Sequence, residues 1–185
     1  MAVQSRMLAL GTAAPAFRLT DTASGKTISL EDFSSSRALL VAFICNHCPY
    51  VKHILDGFVA FAREYGPRGL AVVAISSNDI TTHPADSPSE MAKLAREKNF
   101  TFPYSYDESQ AVARAYVAAC TPDFFLFDGE RRLVYRGQFD GSRPGSQQPV
   151  TGADMRAAAD AVLAGKPVPE KQLPSTGCSI KWKAA

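Results

Sequence analysis

Apolar and polar positions divide this chain into short, well-marked elements. An unbroken apolar run, Leu39-Leu40-Val41-Ala42-Phe43-Ile44, predicts a buried strand at about 38–44. Beyond the turn at Cys45-Asn46-His47-Cys48-Pro49, apolar residues recur at Val51, Ile54, Leu55, Phe58 and Ala62, the spacing of an amphipathic helix. Gly66-Pro67-Arg68-Gly69 stops that helix after about Tyr65. Leu70-Ala71-Val72-Val73-Ala74-Ile75 reads as a second buried strand, parallel to the first if the intervening helix is a crossover. A polar loop from Ser76 to Ser89 precedes helices at about 90–98 and 109–118, the latter with Val112, Ala115 and Tyr116 facing inward.

Two segments alternate with a period of two and enclose turn residues. Pro15-Ala16-Phe17-Arg18-Leu19-Thr20-Asp21 and Thr27-Ile28-Ser29-Leu30, joined through Thr22-Ala23-Ser24-Gly25-Lys26, predict a hairpin, and Ser29 to Asp32 carries capping residues for a short helical turn. Phe124-Phe125-Leu126-Phe127 and the alternation from Arg132 to Arg136, joined at Asp128-Gly129-Glu130, predict a second hairpin. Residues 138–151, rich in Gly, Pro, Ser and Gln, read as a loop before a last helix at about 152–164. The predicted architecture is α/β: a central mixed sheet flanked by helices, with an added N-terminal β-hairpin. No repeat or linker divides it, so residues 1–185 are expected as one domain with a loose arm at 1–14 and a tail at 165–185.

Composition narrows the function classes. Apolar residues at 46% and charged residues at 21% are those of an ordinary globular domain, and the formal charge of +2 is interspersed with no basic block, which argues against nucleic acid as a partner. No run approaches the roughly 20 apolar residues of a membrane span, and the apolar patch near the N-terminus is too short for a secretory signal. Four cysteines are too few for a disulfide scaffold. Together these features predict a cytoplasmic protein whose cysteines are kept for reactivity.

Cys45 and Cys48 lie where a strand ends and a helix begins. There the unpaired N–H groups of the first helical turn favour thiolate over thiol, and two intervening residues allow the sulfurs to bond. The suggested chemistry is thiol–disulfide exchange. His47, between them, would stabilise a thiolate when protonated. Lys52 and His53, a turn later, read as surface residues. Cys45, Cys48 and His47 could instead hold a metal, but no second CxxC or His pair completes a tetrahedral site, and neither a metal nor a cofactor is expected. An inert structural pair is the remaining reading. Cys120 and Cys178 are candidates for additional redox chemistry, Cys120 also as a packing thiol. Arg136 and Arg143, in a Gly-rich stretch, could hold an anion, although a salt-bridged loop fits them better.

The order of elements, CxxC opening the first crossover helix and Thr121-Pro122 preceding a later strand, resembles the thioredoxin superfamily. Pro15-Ala16-Phe17 and the extra hairpin resemble its peroxiredoxin (AhpC/TSA, redoxin) branch. Phe43-Ile44-Cys45-Asn46-His47-Cys48-Pro49-Tyr50-Val51-Lys52, Cys120-Thr121-Pro122-Asp123-Phe124-Phe125-Leu126 and Gly177-Cys178-Ser179-Ile180-Lys181-Trp182 resemble stretches of an uncharacterised bacterial peroxiredoxin-like group. The resemblance spans about residues 11–183. It implies a thioredoxin-like fold, Cys45 as the attacking and Cys48 as the resolving cysteine, and Pro122 as a cis-proline whose neighbour Thr121 lends its main chain to a partner strand.

The implied function is a thiol–disulfide oxidoreductase acting on protein or small-molecule disulfides and re-reduced by a cellular dithiol. A thiol peroxidase and a redox sensor without turnover are the alternatives. Departures from the family patterns bear on the choice. With its cysteine set on Cys48, the peroxiredoxin pattern Pro-x-x-x-Thr-x-x-Cys finds Val41 and Cys45 in place of proline and threonine. The buried acid of thioredoxins corresponds to Leu39, that of related tethered reductases to Val51, and the usual Trp before the first cysteine to Ile44.

Overall fold

The computed structural model describes residues 2–184. Its centre is the pair of apolar runs. β4 (Ala38–Phe43), entirely buried, runs parallel to β5 (Leu70–Ser76) with Val41 opposite Val73, and α1 (Pro49–Tyr65) is the crossover between them. Pro49 opens α1, where its missing N–H costs no helical bond, and Val51, Ile54, Leu55, Phe58, Phe61, Ala62 and Tyr65 form its buried stripe.

The remaining strands extend this sheet to seven. β2 (Arg18–Asp21) and β3 (Thr27–Ser29) form the first hairpin, and β8 (Asp123–Phe127) and β9 (Leu133–Gly137) form the second, with β8 antiparallel to β4. The strand order is β3-β2-β6-β5-β4-β8-β9. The capping residues at the end of the first hairpin also behave as expected, since the Asp32 carboxylate accepts the Ser29 N–H at 2.7 Å.

Side chains divide between the two faces of this mixed sheet as strand alternation requires. Leu40, Ala42, Phe124 and Leu126 pack with α1, with Met91 of α2 (Pro88–Glu97) and with Met155, Ala158, Ala159 and Leu163 of α4 (Ala153–Leu163). Leu39, Val41, Phe43, Phe125 and Phe127 pack with Val112, Ala113 and Tyr116 at α3 (Ala111–Ala115) on the other side.

Several local expectations change. β6 (Tyr104–Tyr106), parallel to β5, was invisible in the pattern because it is three residues long and draws its order from pairing. The helix expected at about 109–118 is only Ala111–Ala115, bounded by Gln110 and Val117 in the left-handed region at φ 61° and 55°. Its inward face carries Ala113 in place of Ala115, which is exposed. The N-terminal segment is no loose arm: β1 (Ala2–Gln4) pairs antiparallel with β10 (Thr176–Ser179), which also pairs with β7 (Cys120–Thr121). Ser5 and Ser175 fasten the same junction through a 2.9 Å N–H···O=C bond and the Ser5 hydroxyl.

Phe58 joins the layers, its ring meeting those of Phe102, Phe124 and Phe139 at 5.4, 5.4 and 6.0 Å. Phe58→Ala is therefore expected to destabilise the fold by about 3–5 kcal/mol, read from urea denaturation midpoints. A change below about 1 kcal/mol would mean that the core repacks around the loss.

Candidate functional site

The turn between β4 and α1 brings Cys45 and Cys48 together and buries both, at 1% and 0% exposure. Cys48 is the residue from which α1 starts, with its carbonyl accepting Lys52 N–H at 3.0 Å. Thr121 and Pro122 face the pair from between β7 and β8, and the Thr121–Pro122 bond is cis. The Thr121 hydroxyl lies 3.2 Å from Cys45 Sγ, while Cys48 Sγ donates to Thr121 O at 3.2 Å. A hydroxyl thus stands beside Cys45, although it comes from a strand 76 residues away.

Cys48 is pushed down to about 4, first because the Cys45 thiol donates to it, and further by the Cys178 thiol and the N–H groups of Val51 and Cys178. Cys45 is pushed up, as that donor, by burial and by the facing Asp86 carboxylate. Burial and Asp86 thus act against a thiolate on Cys45, while the helix start favours one on Cys48. As a thiol, Cys48 donates to Thr121 O, and Cys45 can accept from the Thr121 hydroxyl. All four cysteines are free thiols.

No pattern in the sequence marks Asp86. It sits fully buried in a short 3-10 turn, Pro84–Asp86, inside the polar loop after β5. Its Oδ1 accepts the N–H groups of Asn46 at 2.8 Å and His47 at 3.1 Å; its Oδ2 accepts His47 Nδ1 at 2.6 Å and Asn78 Nδ2 at 2.8 Å. This one side chain therefore fixes the backbone and the ring orientation of the CxxC turn. The same His47 Nδ1 is 3.8 Å from Cys45 Sγ. With its proton directed at Asp86, that nitrogen has no lone pair left to take one from Cys45. The carboxylate beside the ring offsets any positive charge on it, which weakens the field that His47 could exert on Cys45.

Cys45, His47 and Asp86 offer donor atoms within 4.8 Å of one another, the kind of set that could hold a metal. Each Asp86 oxygen already takes two hydrogen bonds, however, which fills the lone-pair sites a cation would need. The cluster is better described as a hydrogen-bond hub.

The other candidates separate. Cys178 comes to the site: it lies opposite Thr121 in the strand pairing and packs against the core cluster that contains Cys45 and Cys48. Cys120 is buried, donates to Pro122 O at 3.5 Å and is pushed up by burial. Lys52 is exposed, and His53 hydrogen-bonds Ser142. Arg143 is spent on Asp140 O, Ser142 O and Gln138, and Arg136 on Leu8 O and Gln172, without the salt bridges expected of them. Asp123, directly after Pro122, is fully buried, with Oδ1 unpartnered and Oδ2 accepting Ala119 N–H at 3.3 Å. Burial pushes this carboxyl up to about 8.

Two outcomes follow for the acids. Asp86→Ala strands four buried or half-buried donors, and is expected to cost at least about 2–3 kcal/mol in denaturant unfolding while speeding alkylation of Cys45. An unchanged midpoint would show that water replaces the carboxylate. Asp123 has a higher pKa folded than unfolded, so the native state retains a proton the unfolded chain releases, and the stability this gives is lost as pH rises from about 4 to about 8. Asp123→Asn should flatten that decline in urea midpoints measured across the interval. A decline of the same slope in the variant would assign it to another group.

Comparison with known proteins places this geometry in a family. A model of the AhpC/TSA family matches residues 10–136. Among solved structures, an uncharacterised conserved protein from Geobacillus kaustophilus is 55% identical, with TM-score 0.98 over 100% of this chain and 98% of its own. The hypothetical protein SMc02350 from Sinorhizobium meliloti 1021 is 53% identical, with TM-score 0.96 over 98% of this chain and 99% of its own. At the level of fold alone, the thioredoxin domain of thiol-disulfide oxidoreductase BVU-2223 from Bacteroides vulgatus is similar at 19% identity and TM-score 0.60, over 80% of this chain and 97% of its own. No curated protein sequence matches. The chain has a thioredoxin-like fold and belongs to the AhpC/TSA family.

Proposed function

We propose that this protein is a thiol–disulfide oxidoreductase in which Cys45 attacks a disulfide and Cys48 resolves the product. The observation that carries this reading is two buried cysteines at a helix start, one on each side of Thr121, whose hydroxyl lies 3.2 Å from Cys45 Sγ and whose carbonyl lies 3.2 Å from Cys48 Sγ, because the unpaired N–H groups of a helix start favour thiolate. When a disulfide arrives, the proton passes from Cys45 to Cys48, and the Thr121 hydroxyl donates to the Cys45 sulfur as charge gathers there. Cys45 forms a mixed disulfide and expels the first thiolate, which takes the proton back from Cys48. The Cys48 thiolate then attacks Cys45 Sγ, closing the Cys45–Cys48 bond and releasing the second thiolate. The helix start favours charge on Cys48 at that moment.

Access is narrow. Cys45 is nearly closed off, and the side chains nearest it along the turn, Asn46 and His47, are half-buried. This favours a small disulfide, or one projecting from a protein, over an extended partner segment. The reductant is a dithiol or a pair of thiols.

A peroxidase reading has one feature in its favour, the Thr121 hydroxyl on Cys45. It lacks the other: among the described residues no arginine hydrogen-bonds either sulfur, and cleavage of a peroxide bond needs aligned donors as well as a thiolate.

The test is to incubate variants with glutathione disulfide and map the adducts without reduction. Cys48→Ser should hold a stable mixed disulfide on Cys45, whereas Cys45→Ser should hold none. Equal trapping by both would sink the role assignment. The unaltered chain should show one reversible two-electron transition confined to Cys45 and Cys48, while rapid hydrogen peroxide turnover at low protein concentration would favour the peroxidase.

A further inference from the structure

The edge on which a partner strand would pair is already filled by the chain itself. β10 lies antiparallel to β7, with Cys178 opposite Thr121 and Ser179 opposite Cys120. Gly177 approaches so closely that a Cβ there would stand 1.9 Å from Thr121 O, so no other residue fits without displacing the strand. That approach sets Cys178 opposite Thr121, the residue that contacts both Cys45 and Cys48, and packs it against the core cluster that contains the two cysteines. Cys45 and Cys178 differ in exposure, since Cys45 is buried and Cys178 is half-buried.

The strand is also fastened beyond its end. Ile180 N–H donates to Ala119 O at 3.1 Å, Lys181 N–H to Asn78 Oδ1 at 2.8 Å, and Gln110 Nε2 to Lys181 O at 2.8 Å. Asn78 is the same residue whose amide donates to Asp86. The polar loop that fixes the CxxC turn thus fixes β10 as well, and the three sulfurs are held by one network.

We propose that β10 is a resident substrate strand, whose Cys178 exchanges with the Cys45–Cys48 disulfide at Cys48 and carries it to the surface for re-reduction. The inference rests on the dithiol reading above and adds the route by which a closed disulfide meets its reductant. Cys178 gives up its proton and attacks Cys48 Sγ. The Cys48–Cys178 bond forms as the Cys45–Cys48 bond breaks, and Cys45 leaves with the electron pair and takes up a proton. Nothing is oxidised or reduced overall in that step. An external thiol then attacks Cys178 Sγ and releases the Cys48 thiolate. A second thiol displaces Cys178, leaving a small disulfide outside and three reduced cysteines within. Two electrons pass from two thiols to the chain. Burial pushes the Cys178 thiol up to about 11, so it waits protonated while the dithiol is reduced.

The test uses the full chain and glutathione. Cys45→Ser, oxidised with glutathione disulfide and mapped without reduction, should contain the Cys48–Cys178 bond in most molecules. Cys48 found only as a free thiol or a glutathione adduct would overturn the proposal. Adding Gly177→Ala to that variant touches no sulfur but pushes β10 off Thr121, and should abolish the bond; its persistence would overturn the role of the docked strand. In the oxidised chain with Cys45 and Cys48 intact, Cys178→Ser should slow reduction of their disulfide by glutathione by at least about tenfold, and an unchanged rate would overturn the route. If the unaltered chain never forms a Cys45–Cys48 bond, the dithiol reading fails instead, and that result is visible in the same peptide map.

Discussion

The buried carboxylate of Asp86 is the contact on which the arrangement of sulfurs depends. Four donors converge on its two oxygens, two of them main-chain N–H groups of the CxxC turn. An anion at that depth is tolerated only when it is fully hydrogen-bonded, and here it is. The same carboxylate acts against ionisation of Cys45. One group therefore both builds the turn and disfavours a thiolate on its first cysteine.

The core supplies the rigid part of the design. β4 is buried along its whole length and ends at the CxxC turn, while α1 leaves from the turn with a broad apolar stripe. Each cysteine is thus tied to an element whose position is set by packing. Thr121 and Pro122 come from the opposite flank of β4, through β8, which is paired with it residue by residue. The short Sγ distances to Thr121 are consequences of sheet register, since slipping β8 by one residue would move its side chains to the other face.

What could be read in the sequence was what is local. The strand, the turn, the helix and the two hairpins each carry their own signal in fewer than about 20 residues, and residue spacing defines them. The cis Thr121–Pro122 bond and its place beside the cysteines followed from resemblance, and the structure has both. Asp86 was hidden because it lies 40 residues from Asn46, in a proline-containing loop with no periodicity. β6 and β10 were hidden for a related reason. Tyr104–Tyr106 and Thr176–Ser179 are too short to show alternation, and they are strands only because neighbours offer them a ladder. Cys178 could be singled out as a cysteine, but its partner sulfur could not.

The two ends of the chain complete the reasoning about access. β1 and β10 pair with each other and together cover the sheet edge at Thr121, an edge that otherwise presents unpaired main-chain groups. Covering it removes the surface that a thioredoxin-like fold could offer to a partner strand, and it encloses both cysteines of the pair. A closed dithiol gains protection from adventitious oxidants but loses contact with any thiol that must restore it. On the proposed route, a third sulfur on the covering strand would resolve that conflict in a way that a serine or valine there could not, because it would conduct exchange through the cover without lifting it. The closeness of Gly177 to Thr121 O is what such a design requires, since the strand must lie near enough for sulfur to meet sulfur. The burial of the site and the position of Cys178 are thus two parts of one arrangement.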